Sequence, residues 1–246
     1  MKIVKLTTIF TITLLIFACG NTGKIISGAN DILKTVNTGI TEDEAANGLK
    51  EALNSGVSAG TDFLSKRDGF FKNEMYKILF PPEAQKIEQT LRRMGFGNKC
   101  DQVIENINHG AEMAVAEAKP VFTNSIKQMS IRDAINIVTG GNGAATNYLK
   151  NTTSNELTNK FKPIIQTSLD KTEATKYWTD IMTLYNKIPG VDKINPDLNS
   201  YVTQKALTAL FSQVESEENK IRQDPLKRTS QLLKKVFGYA DQKKNN

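Results

Sequence analysis

The chain has 246 residues, 39% of them apolar and 24% charged, with a formal net charge of +6. That is ordinary globular composition, long enough for a sizeable core in one large domain or two small ones. Beyond the N-terminus no stretch is long and apolar enough for a transmembrane helix. The mild basicity singles out no partner class and gives no ground for a nucleic-acid partner.

At the N-terminus, Lys2 and Lys5 precede an apolar stretch over residues 9–17, with Ala18 just before Cys19. A basic start, a short apolar centre and a small residue before the cut are the parts of a secretory signal. The stretch falls short of the ~20 residues that span a bilayer as a helix. With Cys19 directly after Ala18, the run Leu14-Leu15-Ile16-Phe17-Ala18-Cys19-Gly20 resembles a bacterial lipobox, although Phe17 is bulkier than usual there. The resemblance implies a Cys19 that is lipidated on its thiol, becomes the first residue after cleavage and is acylated on its new amine. The expected division is a signal peptide over 1–18, lipidated Cys19 and a tether over 19–40, an all-helical domain over 41–239 and a polar tail over 240–246. Gly20 is not the Asp that retains lipoproteins in an inner membrane, and residues 21–24 carry no acidic run of the surface-export kind. Both analogies favour the periplasmic face of an outer membrane. With Cys19 lipidated, Cys100 has no intrachain partner, so it reads as a small buried apolar residue.

From residue 41 the chain reads as helix after helix, about ten in all. Thr41 and Glu44 have capping-box spacing, and Ala45, Leu49, Ala52, Leu53, Gly56, Val57, Gly60 and Leu64 then share one helical face. Residues 66–81, with Gly69, Pro81, Phe70, Phe71 and Phe80, read as an irregular segment packed on the core. Pro82 suits the first turn of a helix carrying Ala84, Ile87, Leu91 and Met94, which Gly95 and Gly97 stop. Cys100, Val103, Ile104, Ile107, Ala111, Ala114 and Ala118 line the next helix, closed before Pro120. Ser130 with Asp133 opens a short helix and Thr153 with Glu156 another, while Pro163 is expected to interrupt the pattern. A helix with Trp178, Ile181, Met182 and Tyr185 follows. Asn195-Pro196 and Asp224-Pro225 each read as a cap plus proline at the start of a helix. The first carries Leu198, Val202, Ala206, Leu210 and Val214; the second carries Leu226, Leu232, Leu233, Val236 and Phe237. No alternating run between hairpin turns predicts a sheet.

These elements carry a family resemblance. Phe80-Pro81-Pro82-Glu83 through Gly97, Ala118-Lys119-Pro120-Val121-Phe122, Ile131-Arg132-Asp133-Ala134, Phe161-Lys162-Pro163-Ile164 with Lys176-Tyr177-Trp178, Asn195-Pro196-Asp197-Leu198 with Tyr201-Val202, and Ile221-Arg222-Gln223-Asp224-Pro225 with Leu232 to Gly238 resemble the bacterial family known as domain of unknown function 4197. The resemblance runs from about Ala45 to Gly238. It implies an all-helical, exported, often lipid-anchored protein, and supplies neither an activity nor site residues.

Candidate chemistry is sparse. His109 is the single histidine, so any Ser-His-Asp or Cys-His arrangement would have to use it. Glu105, His109 and Glu112 share a helix face at metal-ligand spacing but fall short of a zinc or di-iron set, and read better as a solvated polar face. Gly140-Gly141-Asn142-Gly143 lacks the Lys-Ser/Thr of a phosphate loop and reads as a helix stop and turn. Arg92, Arg93, Arg222 and Asp224 suit either a buried ion network or surface charge. Phe161, Tyr177, Trp178, Tyr185, Tyr201 and Phe211 suit a core more than a ligand cavity. From Lys220 onward the chain has eight basic residues against two acidic ones. Lys227, Arg228, Lys234 and Lys235 are expected to form an outward, possible membrane-facing stripe opposite Leu232, Leu233 and Val236, or simply the soluble side of a core helix.

No catalytic set, metal site or cofactor is predicted. The favoured reading is a non-catalytic, lipid-anchored cell-envelope binding module for an apolar ligand, a membrane surface or a protein partner. The alternative is a cofactor-free hydrolase with a carboxylate-based site.

Overall fold

In the computed structural model, Thr41 and Glu44 close the capping box their spacing predicts. Thr41 N donates to Glu44 Oε2 at 2.9 Å and Glu44 N to Thr41 Oγ1 at 3.1 Å. They open α1 (Glu42–Ser65), whose buried face is the one read from the sequence. Residues 39–171, 174–190, 192–195 and 197–244 are described, the side chains of 174–177 and 244 excepted. The expected signal segment, Cys19 and the expected tether to residue 38 lie outside the described residues, as does the side chain of Tyr177.

Chain order continues with an irregular segment over 66–81, a 3-10 turn Pro82–Ala84, α2 (Gln85–Leu91), a π-type turn Arg92–Phe96, α3 (Gly97–Ala116), α4 (Ala118–Gln128), α5 (Ile131–Thr139), α6 (Ala144–Asp170), α7 (Ala174–Tyr185), α8 (Leu198–Gln223), a second 3-10 turn Pro225–Lys227 and α9 (Gln231–Lys244). The described residues thus hold nine α-helices and no strand, an all-α fold. No helix among them is long and apolar enough to cross a membrane.

Small residues let α1 sit at the centre of the bundle. A Cβ on Gly48 would lie 2.6 Å from Val236 Cγ2 of α9, so that helix approaches as closely as glycine allows. Gly56 faces Glu217 and Gly60 faces Val214, which sets α8 antiparallel to α1. On its other sides α1 meets α3, α4 and α5, and α6 packs between α3, α4 and α8. One contiguous core unites Leu49, Phe70, Phe122, Phe161, Leu210 and Phe237. Residues 40–246 form one compact unit around it.

Several boundaries differ from expectation for identifiable reasons. Thr153 and Glu156 do not open a helix; Thr153 is buried mid-α6 and its hydroxyl donates to Leu149 O at 2.5 Å. α6 also runs through Pro163. A proline inside a helix costs ~3 kcal/mol, but Leu157, Phe161, Ile165 and Leu169 on the same helix are fully buried, each contributing roughly 1.5–3 kcal/mol. Burial outweighs the local penalty, with the ring on the exposed side. Ala118 belongs to α4 rather than α3, which leaves Pro120 in that helix's first turn, where no N–H is needed. Gly95, at φ 93°, kinks the chain instead of ending it, and Gly97 already starts α3. Asp197, not Asn195, caps α8, accepting from Ser200 N at 2.9 Å. The final helix starts only at Gln231, so Leu226, expected on its apolar face, is 89% exposed. It then continues to Lys244, with Ala240 buried.

Candidate functional site: a cleft beside a pinned loop

The irregular segment after α1 is held by two polar side chains on the buried face of α3. Asn108 accepts from Ile78 N and donates to Ile78 O, both at 2.8 Å, as a neighbouring strand would. Its amide also donates to Ile104 O at 2.7 Å. Glu112, 3% exposed, accepts from Phe70 N at 3.0 Å and Phe71 N at 3.1 Å through one oxygen. Its other oxygen meets His109 Nδ1 at 2.7 Å. Of the expected solvated face, Glu112 is therefore a buried anchor for backbone, while Glu105 stays half exposed at 3.5 Å from His109. A buried carboxylate with three partners satisfies its lone pairs without a metal. Among the described residues no cluster has the make-up of a metal site.

Pinning this segment shapes a cleft of about 400 Å³. Met75, Tyr76, Lys77, Leu79 and Phe80 line one wall, Pro82 and Gln85 one end, and Tyr201, Lys205, Ala209 and Ser212 of α8 the other wall. Tyr201 donates to Leu79 O at 3.2 Å, and Tyr76 donates to Gln213 Oε1 at 3.0 Å, so two phenols tie the walls together. Burial raises the Tyr201 hydroxyl pKa, and the Glu83 carboxylate adds to the effect. Met75 and Leu79 are 78% and 50% exposed, apolar surface left facing water. The ammonium groups of Lys77 and Lys205 lie over the rings of Phe71 and Tyr201, at 4.6 and 5.6 Å. Phe80 of the first wall stacks on Trp178 at 5.7 Å, with planes 7° apart.

A second buried polar group lies at the other end of α8. Glu218 accepts from Ala145 N, Thr146 N and Thr146 Oγ1, at 3.1, 2.9 and 2.8 Å. These amides begin α6, where a carboxylate complements the helix dipole. Arg222 Nε donates to Glu218 Oε1 at 2.8 Å, and its other nitrogens reach Ile137 O at 2.8 Å and Val138 O and Gly140 O at 3.4 Å. A cation thus sits on the terminal carbonyls of α5. Gly140 caps α5 and Gly143, at φ 74°, turns into α6, so the glycine run is the expected stop and turn.

Other residues singled out from sequence take varied places. Arg222 is buried, as one reading allowed, but its partner is Glu218 rather than Asp224. Arg92 is braced by Glu88 and Asp101 at the surface, and Arg93 is exposed. Cys100 is buried and its thiol pKa is raised by that burial, which makes it inert. Phe161, Trp178 and Phe211 are core; Tyr201 lines the cleft.

The basic stripe does not form as expected. Arg228 points inward, 4% exposed, donating to Ile221 O and Arg222 O and pairing with Asp241 at 2.8 Å. The cause is the break at 228–230, which invalidates a helical wheel drawn from Pro225. Lys235 is taken by Glu44 at 2.7 Å, and that hydrogen bond lowers the Glu44 pKa. Lys227 and Lys234 remain exposed. Asn108, Tyr76, Lys77 and Lys205 were missed and Glu112 was read as a solvated acid; the one signal was an Asn and a Glu on the apolar face shared by Ile104, Ile107 and Ala111.

The fold and cleft define an all-helical protein with a lateral groove. The chain belongs to the family described as Protein of unknown function (DUF4197), which matches residues 39–238. No curated protein and no solved structure matches it.

Proposed function

We propose that this protein is a binding module of the cell envelope, anchored by lipid on Cys19, whose cleft holds an elongated amphipathic molecule with one anionic head. The observation that carries the reading is the cleft itself. At about 400 Å³ it lies within the ~300–1,000 Å³ common for ligand sites. Its walls pair exposed apolar groups, Met75 and Leu79, with Lys77 and Lys205, which rest on aromatic rings rather than on carboxylates. An aliphatic tail fits the first pair and an anionic head the second. The other buried charges, Glu112, Glu218, Arg222 and Arg228, are engaged in holding backbone.

The test uses residues 39–246, which contain the whole compact unit. Long-chain fatty acid is titrated against it and read by native mass spectrometry and calorimetry. The expected result is one bound molecule per chain, with Lys205→Glu weakening binding about tenfold and Leu79→Glu abolishing it. Unchanged binding in both variants, each with parental thermal stability, would remove the cleft from the function.

A further inference from the structure

We infer that the arm over residues 82–99 is a membrane-seating tip that docks on an anionic lipid surface. This rests on observations separate from the cleft. No residue of α2 is buried. Ala84, at the arm's start, is buried in the core, and Ile87 and Leu91 lean on it half-buried. Gly95, at φ 93°, kinks the chain at the tip, a conformation that favours glycine. On either side of it Met94 and Phe96 are 66% and 50% exposed. Large apolar side chains held out in water on both sides of a turn are a cost that an interacting surface recovers.

The charges around the tip say which surface. Arg92 is consumed locally: it pairs with Glu88 and Asp101, both at 2.8 Å, and reaches Gly97 O at 3.5 Å. One guanidinium thus serves two carboxylates, which leaves this trio a single negative charge, and it braces the turn. Arg93 and Lys99 are left exposed beside Met94 and Phe96, with no carboxylate partner among the described residues. An apolar point flanked by Arg93 and Lys99, whose two charges exceed the one left on the Arg92 trio, complements the acyl–headgroup boundary of an anionic bilayer. A protein partner fits less well. A stable protein interface needs roughly 800 Å² from each side, whereas insertion into lipid needs only the apolar point and its flanking charge.

The arm grows from the end of the bundle where α1 finishes, since Phe70 and Ile78, just beyond α1, meet the C-terminal half of α3. The tether joins at the other end of α1. Residues 19–40, fully extended, reach about 70 Å, which is enough for a Cys19-anchored domain to lay its arm on the same membrane. Pro82 and Gln85 end the cleft and begin the arm, so a seated tip brings the cleft's end to the bilayer.

The test is co-sedimentation of residues 39–246 with vesicles of phosphatidylcholine containing about one-third phosphatidylglycerol, and with phosphatidylcholine alone, at low and high salt. The parent is expected to bind the anionic vesicles, more weakly as salt rises, and to bind neutral vesicles at least tenfold less. Met94→Ser with Phe96→Ser should reduce binding at least tenfold. Arg93→Gln with Lys99→Gln should reduce it several-fold and flatten the salt dependence. All four side chains are exposed, so thermal unfolding should match the parent. In a separate Phe96→Trp variant, brominated lipid should quench the new tryptophan. Parental binding by the Met94/Phe96 variant, absence of binding by the parent, or loss of binding only on changing Leu226, Lys227 and Lys234 would each overturn the proposal. A tip change that merely turned a dimer into a monomer, without vesicle binding, would overturn it in favour of a second copy of the chain.

Discussion

Arg222→Met tests the reading of the bundle's buried ion pair. In the parent the guanidinium accounts for the last carbonyls of α5 and for Glu218, whose carboxylate in turn caps α6. Both side chains are nearly sealed from water, at 3% and 6% exposure. Methionine keeps much of the stem's packing but leaves Glu218 charged, buried and without its cation. Breaking a buried pair from one side costs about 3–5 kcal/mol. For a domain of this size each kcal/mol moves Tm by about 2–4 °C, so a fall of at least ~6 °C is expected. Glu218→Gln should cost less, because the amide oxygen still accepts from Thr146 N while Arg222 keeps its carbonyls. The double variant should recover part of the Arg222→Met loss, since no charge is then stranded. Urea unfolding of the four proteins gives the coupling directly. A loss under about 1 kcal/mol for Arg222→Met, or strict additivity in the double variant, would refute the claim that this pair acts as one unit.

Three further outcomes are expected. Glu112→Ala strands the amides of Phe70 and Phe71 and should cost about 1–3 kcal/mol; hydrogen exchange should speed up at those two amides before the rest of the core. Tyr201 is neutral in the fold with its pKa raised above the ordinary 10.0, so the native state holds its proton longer than the unfolded chain. Stability from this group is complete below pH 10 and lost as pH climbs toward the folded value; Tyr201→Phe should blunt that alkaline loss, read by denaturation midpoints across the range. Cys19→Ser should move the full chain from the membrane fraction to the soluble one in cells, and its retention after a salt wash would remove the lipid anchor.

The all-α class, the face of α1 and the caps at Thr41 and Ser130 were legible because each depends on spacing within one turn or one helix. The misread boundaries share a cause. Thr153 with Glu156 and Pro163 carry real local signals, but the burial of Leu157, Phe161 and Ile165 is a tertiary quantity and it prevails. Arg228 was misplaced because its direction depends on a three-residue break that no periodicity shows. The cleft was illegible for a different reason. Its walls come from a loop and a helix more than a hundred residues apart, and its shape depends on Asn108 bonding Ile78 across that fold. Glu112 read as a surface acid because sequence gives residue type and spacing, not which backbone amides will come to lie opposite.

The distribution of charge separates framework from working surface. Glu112, Glu218, Arg222 and Arg228 sit inside and spend their hydrogen bonds on main-chain groups at helix ends and at the pinned loop. Evolution can alter such residues only at a cost in stability, so they carry little freedom for ligand choice. Lys77, Lys205, Arg93 and Lys99 stand outside that framework, beside Met75, Leu79, Met94 and Phe96, on a cleft and an arm that share Pro82 and Gln85. None of them has a carboxylate partner among the described residues, their contacts being ring faces for Lys77 and Lys205 and the Gln89 carbonyl for Arg93, and the neighbouring apolar groups are a solubility liability left uncorrected. One occupant that is apolar in part and anionic in part answers both. A lipid meets that description whether it lies in the cleft as a single molecule or beneath the arm as a surface.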